Sequence, residues 1–210
     1  MRIMFRAIYY SCVAAAALSL AGCSGGANGS SATPEAAFEN FMSAMKNKDY
    51  KSAFAQTTPE SQDVMIGSFA MFVPMAAAAD PQNGPKSAAE IKKILDQHGV
   101  KSIDSSQLKP TQDPRSLFKQ ATIEVKDKPA CLADIINWIS TQDKNPSLGF
   151  DKFGTATLAD VKTEGETASG TMKSSTGPAS QSEPMKFKRI DGVWLIDLAA
   201  MMPFPPPNGS

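Results

Sequence analysis

Side chains able to do acid–base, nucleophilic or metal chemistry are few in this chain and widely scattered. His98 is the single histidine in 210 residues, and the cysteines are Cys12, Cys23 and Cys131. A Ser-His-Asp or Cys-His relay would have to be built on His98. That residue falls in the last turn of a helix expected to end at Gly99, a position suited to a cation facing the helix dipole. Zinc sites using several His or Cys ligands lack the residues. There is no Gly-rich phosphate loop, P-loop or dinucleotide fingerprint. No catalytic residue, metal or cofactor is therefore assigned. The remaining charged candidates have structural uses: Asp197 is expected beside Lys186 as a cross-strand ion pair, and Arg189 stacked on Trp194 at a sheet end. Met65, Met71 and Met75 sit in the apolar run 64–79. They are expected to pack a buried helix kinked or ended near Pro74. The alternative use is a groove for an apolar ligand, since methionine surfaces re-pack around varied partners.

The elements that would position these groups are clearest near the C-terminus. Met185 to Leu198 reads as a β-hairpin closing on Asp191-Gly192, a dipeptide suited to the primed turns that match strand twist. That turn sets Ile190 opposite Val193, Arg189 opposite Trp194, Lys188 opposite Leu195 and Phe187 opposite Ile196. One face then collects Met185, Phe187, Trp194, Ile196 and Leu198, and the wet face collects Lys186, Lys188 and Asp197. A second hairpin is expected about Glu164-Gly165, from Phe153–Lys162 and Thr167–Lys173. It would set Val161, Ala159 and Thr157 against Ala168, Gly170 and Met172, with Asp160 on the opposite face.

Helical periodicity dominates the region before the strands. Thr33 as N-cap and Pro34 at the first helical position open a helix whose Phe38, Phe41, Met42 and Met45 form a core-facing stripe. Asp49 caps a short helix with Tyr50, Ala53 and Phe54, and Thr57-Thr58-Pro59-Glu60 starts a third. After a loop at 80–85, Ser87 and Glu90 suggest a capping box for a helix using Ile91, Ile94 and Leu95, with Gly99 at its end. Residues 100–112 look irregular. Asp113-Pro114 opens a helix through Leu117 and on towards Ile123, and Pro129 opens another with Leu132, Ile135, Ile136, Trp138 and Ile139. Cys131 there reads as a small buried hydrophobe. Helices followed by four antiparallel strands indicate an α+β fold.

The N-terminus bears on location. Arg2 and Arg6 precede an apolar segment, Ala7 to Leu20, that is too short for a bilayer span of roughly 20 residues. Leu20-Ala21-Gly22-Cys23 resembles the bacterial lipobox, which implies cleavage before Cys23 and lipidation of its thiol. Residues 1–22 would then be a signal peptide and 23–32 a lipidated, flexible tether. Positions 24–32 would have an r.m.s. span of about 15–18 Å. Acyl chains contribute about 0.8 kcal/mol per buried CH₂, so two or three of them anchor firmly. Ser24 after the cysteine favours the outer membrane, facing the periplasm, in a two-membrane cell. Cys131 would be the only cysteine left for other roles, which excludes an intramolecular disulfide. The chain holds 21 basic and 21 acidic residues, and processing removes only Arg2 and Arg6. Near-neutral charge argues against a nucleic-acid partner.

Three stretches together resemble the nuclear transport factor 2-like, cystatin-like superfamily, particularly its small bacterial lipoproteins of unknown function. They are Thr33 to Met42, Lys46 to Phe54, and Phe187 to Asp197, and the likeness covers roughly 33–60 and 152–199. It implies a curved antiparallel sheet wrapping a long helix into a cone, within a single domain at 33–202. The helical section 61–145 departs from the compact family pattern as an insertion, and 203–210 is a Pro-rich tail. Enzymes of the superfamily place Asp, His or Tyr inside the cone. Here Phe38, Met42, Met172, Met185, Phe187, Trp194 and Ile196 are the expected pocket or core lining. The expectation is a noncatalytic envelope module, held to the membrane by lipid on Cys23, that binds an apolar small molecule or an envelope protein. The alternatives are a small isomerase or dehydratase using the cone, and a structural lipoprotein with a filled core.

Overall fold

The computed structural model describes residues 31–78, 84–103, 113–141, 156–174 and 181–202. Cys23, the expected signal peptide, the strand start at Phe153 and the Pro-rich tail lie outside them. Among the described residues six α-helices precede the sheet: α1 (Pro34–Lys46), α2 (Tyr50–Phe54), α3 (Pro59–Ala78), α4 (Gly84–Gln97), α5 (Arg115–Ala121) and α6 (Lys128–Ser140). Strands β1 (Thr157–Glu164), β2 (Thr167–Ser174), β3 (Gln181–Ile190) and β4 (Val193–Ile196) follow as an antiparallel meander in sequence order. The fold is α+β, with the helices supplied by the N-terminal side of the chain and a curved, open sheet by the C-terminal side.

Local chemistry accounts for most element ends. The Thr33 side chain accepts from Ala36 N at 3.2 Å, and Asp49, Thr58 and Asp127 do the same for Ser52, Ser61 and Ala130. Each satisfies an amide that has no partner within its helix. At the end of α4, Gly99 takes φ +77°. Val100 N there donates to Leu95 O at 2.9 Å and Gly99 N to Asp96 O at 3.1 Å, the double bond of a Schellman ending. Ser87 does not cap this helix, because α4 already begins at Gly84 with Pro85 in its first turn. Glu90 instead accepts from Trp138 Nε1 at 2.9 Å, tying α4 to α6. Helix α3 continues past Pro74 to Ala78, so Pro74 does not end it. Helix α5 stops at Ala121, which leaves Ile123 outside the helix and 70% exposed.

The β3–β4 hairpin has the register that its turn dictates, from Ile190 opposite Val193 to Phe187 opposite Ile196. Asp191 and Gly192 carry φ +50° and +82°, as a type I′ turn requires. The β1–β2 turn is one residue later than Glu164-Gly165. Glu164 pairs with Thr167, so Gly165 and Glu166 form the loop, with the positive φ of +61° at its first position. The register shifts again between Ala159 and Lys162, where Asp160 takes φ +56°. Leu158, rather than Thr157 or Ala159, therefore stands opposite Met172. A bulge of this kind resets the side-chain alternation that a sequence count assumes.

The outer edge of β4 is not free. Thr58 N donates to Ile196 O at 2.9 Å, Ile196 N to Gln56 O at 2.8 Å and Trp194 N to Ser31 O at 2.9 Å. Ser31 is 1% exposed, so the folded body includes it, inside the stretch expected to be tether. Its hydroxyl donates to Gln56 Oε1 at 2.9 Å and accepts from Asn40 Nδ2 at 3.1 Å. One apolar cluster runs from α1 and α2 through α3, α4 and α6 to the inner face of β2, β3 and β4. Burial of that continuous surface is the main favourable term in folding.

Candidate functional site

The seven expected lining residues converge, and most of them are packed solid. Phe38, Met172, Met185, Phe187, Trp194 and Ile196 are all buried in the main cluster, with Met42 half-buried against it. They form a core rather than the wall of a hollow cone. Two of them do more. Phe38 and Met42 also line a cleft of about 400 Å³ with Glu35, Glu39, Ala156, Thr157 and Leu158.

This cleft lies where α1 meets the start of β1. Residues 35, 38, 39 and 42 share one helix face by their spacing, so the α1 wall is a single stripe with the Glu35 and Glu39 carboxylates beside Phe38 and Met42. Leu158 is turned to the same side by its pairing with Met172. Glu35 and Glu39 are exposed, and neither has a hydrogen-bond or ion-pair partner among the described residues. The arrangement offers an apolar floor with a negative rim, in the size range of small-ligand sites. Its described lining holds no histidine, cysteine or lysine.

A second cleft of about 270 Å³ is lined by Ala70 of α3, Ala88, Ile91 and Leu95 of α4, and Val100 and Ile103. The charges at its rim are already matched. Lys92 pairs with Asp96 at 2.6 Å and Lys101 with Glu124 at 2.8 Å.

The groups that could do chemistry lie elsewhere. His98 Nε2 is 2.8 Å from Asp134 Oδ2, joining the end of α4 to α6. Cys131 is fully buried, and that burial pushes its thiol up to about 12, which makes it inert as a nucleophile. Arg189 does not stack on Trp194; its Nε donates to Gly192 O at 3.2 Å, bracing the hairpin turn. Asp197 makes no ion pair with Lys186. Its carboxylate accepts from Ala200 N at 3.2 Å and Ser61 Oγ at 3.5 Å, because the chain leaves β4 there for a short 3₁₀ turn, Ala199–Met201.

One polar constellation escaped sequence reasoning. Asp63 of α3, 7% exposed, lies 2.6 Å from Lys128 Nζ at the start of α6 and accepts from Thr122 Oγ1. A usable signal was Lys128 itself: a cation in the first turn of a helix opposes the dipole and calls for a nearby anion. The exposed pair Lys51–Asp127, at 2.7 Å, joins α2 to the same helix end. It holds the Asp127 carboxyl below the usual range through the hydrogen bond from Lys51. Among the described residues no group of His, Cys, Asp and Glu is placed to hold a metal ion, and no helix is long and apolar enough to cross a membrane. Comparison with known proteins finds no matching family model, no matching curated protein and no matching solved structure.

Proposed function

We propose that this chain is an envelope lipoprotein, anchored through lipid on Cys23, whose folded body is a noncatalytic module that takes an apolar group of its ligand or partner into the α1–β1 cleft. The observation that carries the reading is the composition of that cleft: Met42, Ala156 and Leu158, partly exposed over the buried Phe38, form its apolar surface, while His98 is paired with Asp134 and Cys131 is buried elsewhere. Anchoring draws support from the N-terminal motif and from Ser31. Ser31 is eight residue steps after Cys23, so it could lie no further than about 26–29 Å from a lipidated Cys23, whatever path the chain takes.

A second reading, a structural lipoprotein, is favoured by the packed state of Phe187, Trp194 and Ile196. Native mass spectrometry and lipid extraction of protein purified from membranes separate the two. A copurified apolar molecule or partner that is lost in Met42→Glu supports the binding module. Retention of the same species in Met42→Glu, or nothing bound to the wild-type protein, supports the structural reading. Mass spectrometry of the N-terminal peptide tests the anchor: acyl mass on a peptide beginning at Cys23 is expected, and an unmodified peptide containing upstream residues would refute it.

A further inference from the structure

We propose that the occupant of the α1–β1 cleft is an extended peptide segment of a partner protein, added to the outer edge of β1, with apolar side chains alternating with Lys or Arg. This rests on the reading of the cleft as a binding surface and narrows it to one chemistry. Three observations lead there. First, β1 is the sheet edge that no other described strand covers: the order is β1-β2-β3-β4, and β4 is already closed by Ser31, Gln56 and Thr58. An uncovered edge presents unpaired backbone N–H and C=O groups that an extended chain can complete.

Second, only part of that edge is open to pairing. The bulge at Asp160, with φ +56°, and the exposed charges of Lys162 and Glu164 blunt the distal half, as edge strands commonly do. Thr157, Leu158 and Ala159, paired regularly with Lys173, Met172 and Thr171, remain. Thr157 and Leu158 border the cleft. A strand added about 4.8 Å outside them would send alternate side chains over the α1 stripe. The apolar ones would meet Phe38 and Met42.

Third, the rim sets the charge. Glu35 and Glu39 stand one turn apart on α1, with no cation assigned to either among the described residues. Like charges at this spacing repel and disfavour the helix, so a cation brought by a ligand relieves a repulsion already present. Carboxylates beside an apolar floor select against anionic partners and for basic ones. Of the sheet's lysines, Lys186 and Lys188 lie on its outer face, away from the cleft, Lys162 lies beyond the bulge, and Lys173, opposite Thr157, is paired with Asp160 at 3.4 Å.

The test uses the full acylated chain in nanodiscs and three fluorescein-labelled peptides, Val-X-Val-X-Val with X as Lys, Gln or Glu. Binding is read by anisotropy and the contact by hydrogen exchange. The Lys peptide is expected to bind at least tenfold more tightly than the Gln peptide, more so than the Glu peptide, and to slow exchange at residues 157–159. The preference should vanish in the Glu35→Gln, Glu39→Gln double variant and persist in Lys188→Gln. Equal binding of the Lys and Gln peptides, lost in Met42→Glu, overturns the basic-peptide assignment and leaves the apolar cleft standing. Binding without slowed exchange in β1 overturns strand addition. No binding by any peptide overturns the peptide proposal, while the copurification result with Met42→Glu decides the cleft reading separately.

Discussion

The ring of Phe118 lies directly over the bare α-carbon of Gly67, so that a β-carbon on Gly67 would overlap it. Phe118 is 0% exposed, and this approach is what lets α5 pack on α3. Gly67 thus serves the crossing rather than interrupting the helix. Gly67→Ala should destabilise by about 1–3 kcal/mol through overpacking, despite the better helix propensity of alanine. Phe118→Ala should cost about 3–5 kcal/mol. Denaturant melts of the two single variants and the double variant should show a total well below the sum, since each change relieves the other's defect. Strict additivity would contradict the contact.

The β3–β4 hairpin contributes through one face. Phe187→Ala or Trp194→Ala should each cost about 3–5 kcal/mol, because both are buried in the main cluster. Lys188→Ala should behave as wild type. Gly192→Val forces a β-branched residue to φ +82°, a region such residues avoid, so it should lower the melting temperature far more than a change at Lys188. Chemical denaturation of the four variants checks the assigned facing.

Within the helical half, the buried pair Asp63–Lys128 should matter more than the exposed pair Lys51–Asp127. Removing Asp63 takes away the partner that both the Lys128 ammonium, on a side chain 23% exposed, and the Thr122 hydroxyl contact. Loss of one partner from a fully buried pair costs about 3–5 kcal/mol, and partial exposure of Lys128 places Asp63→Ala at or below the low end of that range. Lys51→Ala should leave the melt almost unchanged, as exposed pairs contribute little. Comparable effects at Asp63 and Lys51 would refute the ranking.

Acid should weaken the α2–α6 contact. Asp127 has its carboxyl lowered by the hydrogen bond from Lys51, and Asp49 by those from Ser52. In the folded state each releases its proton more readily than in the unfolded chain. Across this window the unfolded chain therefore binds more protons, and stability rises with pH. The contribution is complete above the ordinary carboxylate value of about 3.9 and is lost as pH falls through the depressed folded value. Lys51, raised by its hydrogen bond to Asp127, works in the other direction: its share holds below the ordinary lysine value and is lost as pH rises through the raised one. Urea melts between pH 5 and 2 should show a shallower decline in Asp127→Asn than in the wild type.

What was legible in the sequence was local. Thr33-Pro34, Asp49, Gly99 and Asp191-Gly192 act within a few residues, and each does what its chemistry requires. Failures arose where a distant partner or a break in period decided the outcome. The bulge at Asp160 reset the alternation and put Leu158 opposite Met172. Gly84-Pro85 opened α4 ahead of Ser87, and Asp197 turned from Lys186 to Ser61 because the chain leaves the sheet after Ile196. In the candidate site, Phe38 and Met42 could be read from helical periodicity. Ala156 and Leu158 could not, since only the packing of α1 against β1 brings them near. Glu35 and Glu39 looked like an ordinary solvated helix face until that wall was in place.

The most direct measurement of the central claim is photocrosslinking in intact cells, with a benzoylphenylalanine placed at Met42 in one strain and at Lys188, on the outer sheet face, in another. The cleft reading predicts a discrete, reproducible adduct from position 42 that disappears when Leu158→Arg fills the cleft, with no such adduct from position 188. Absence of an adduct at position 42, or the same adducts from both positions, would contradict it.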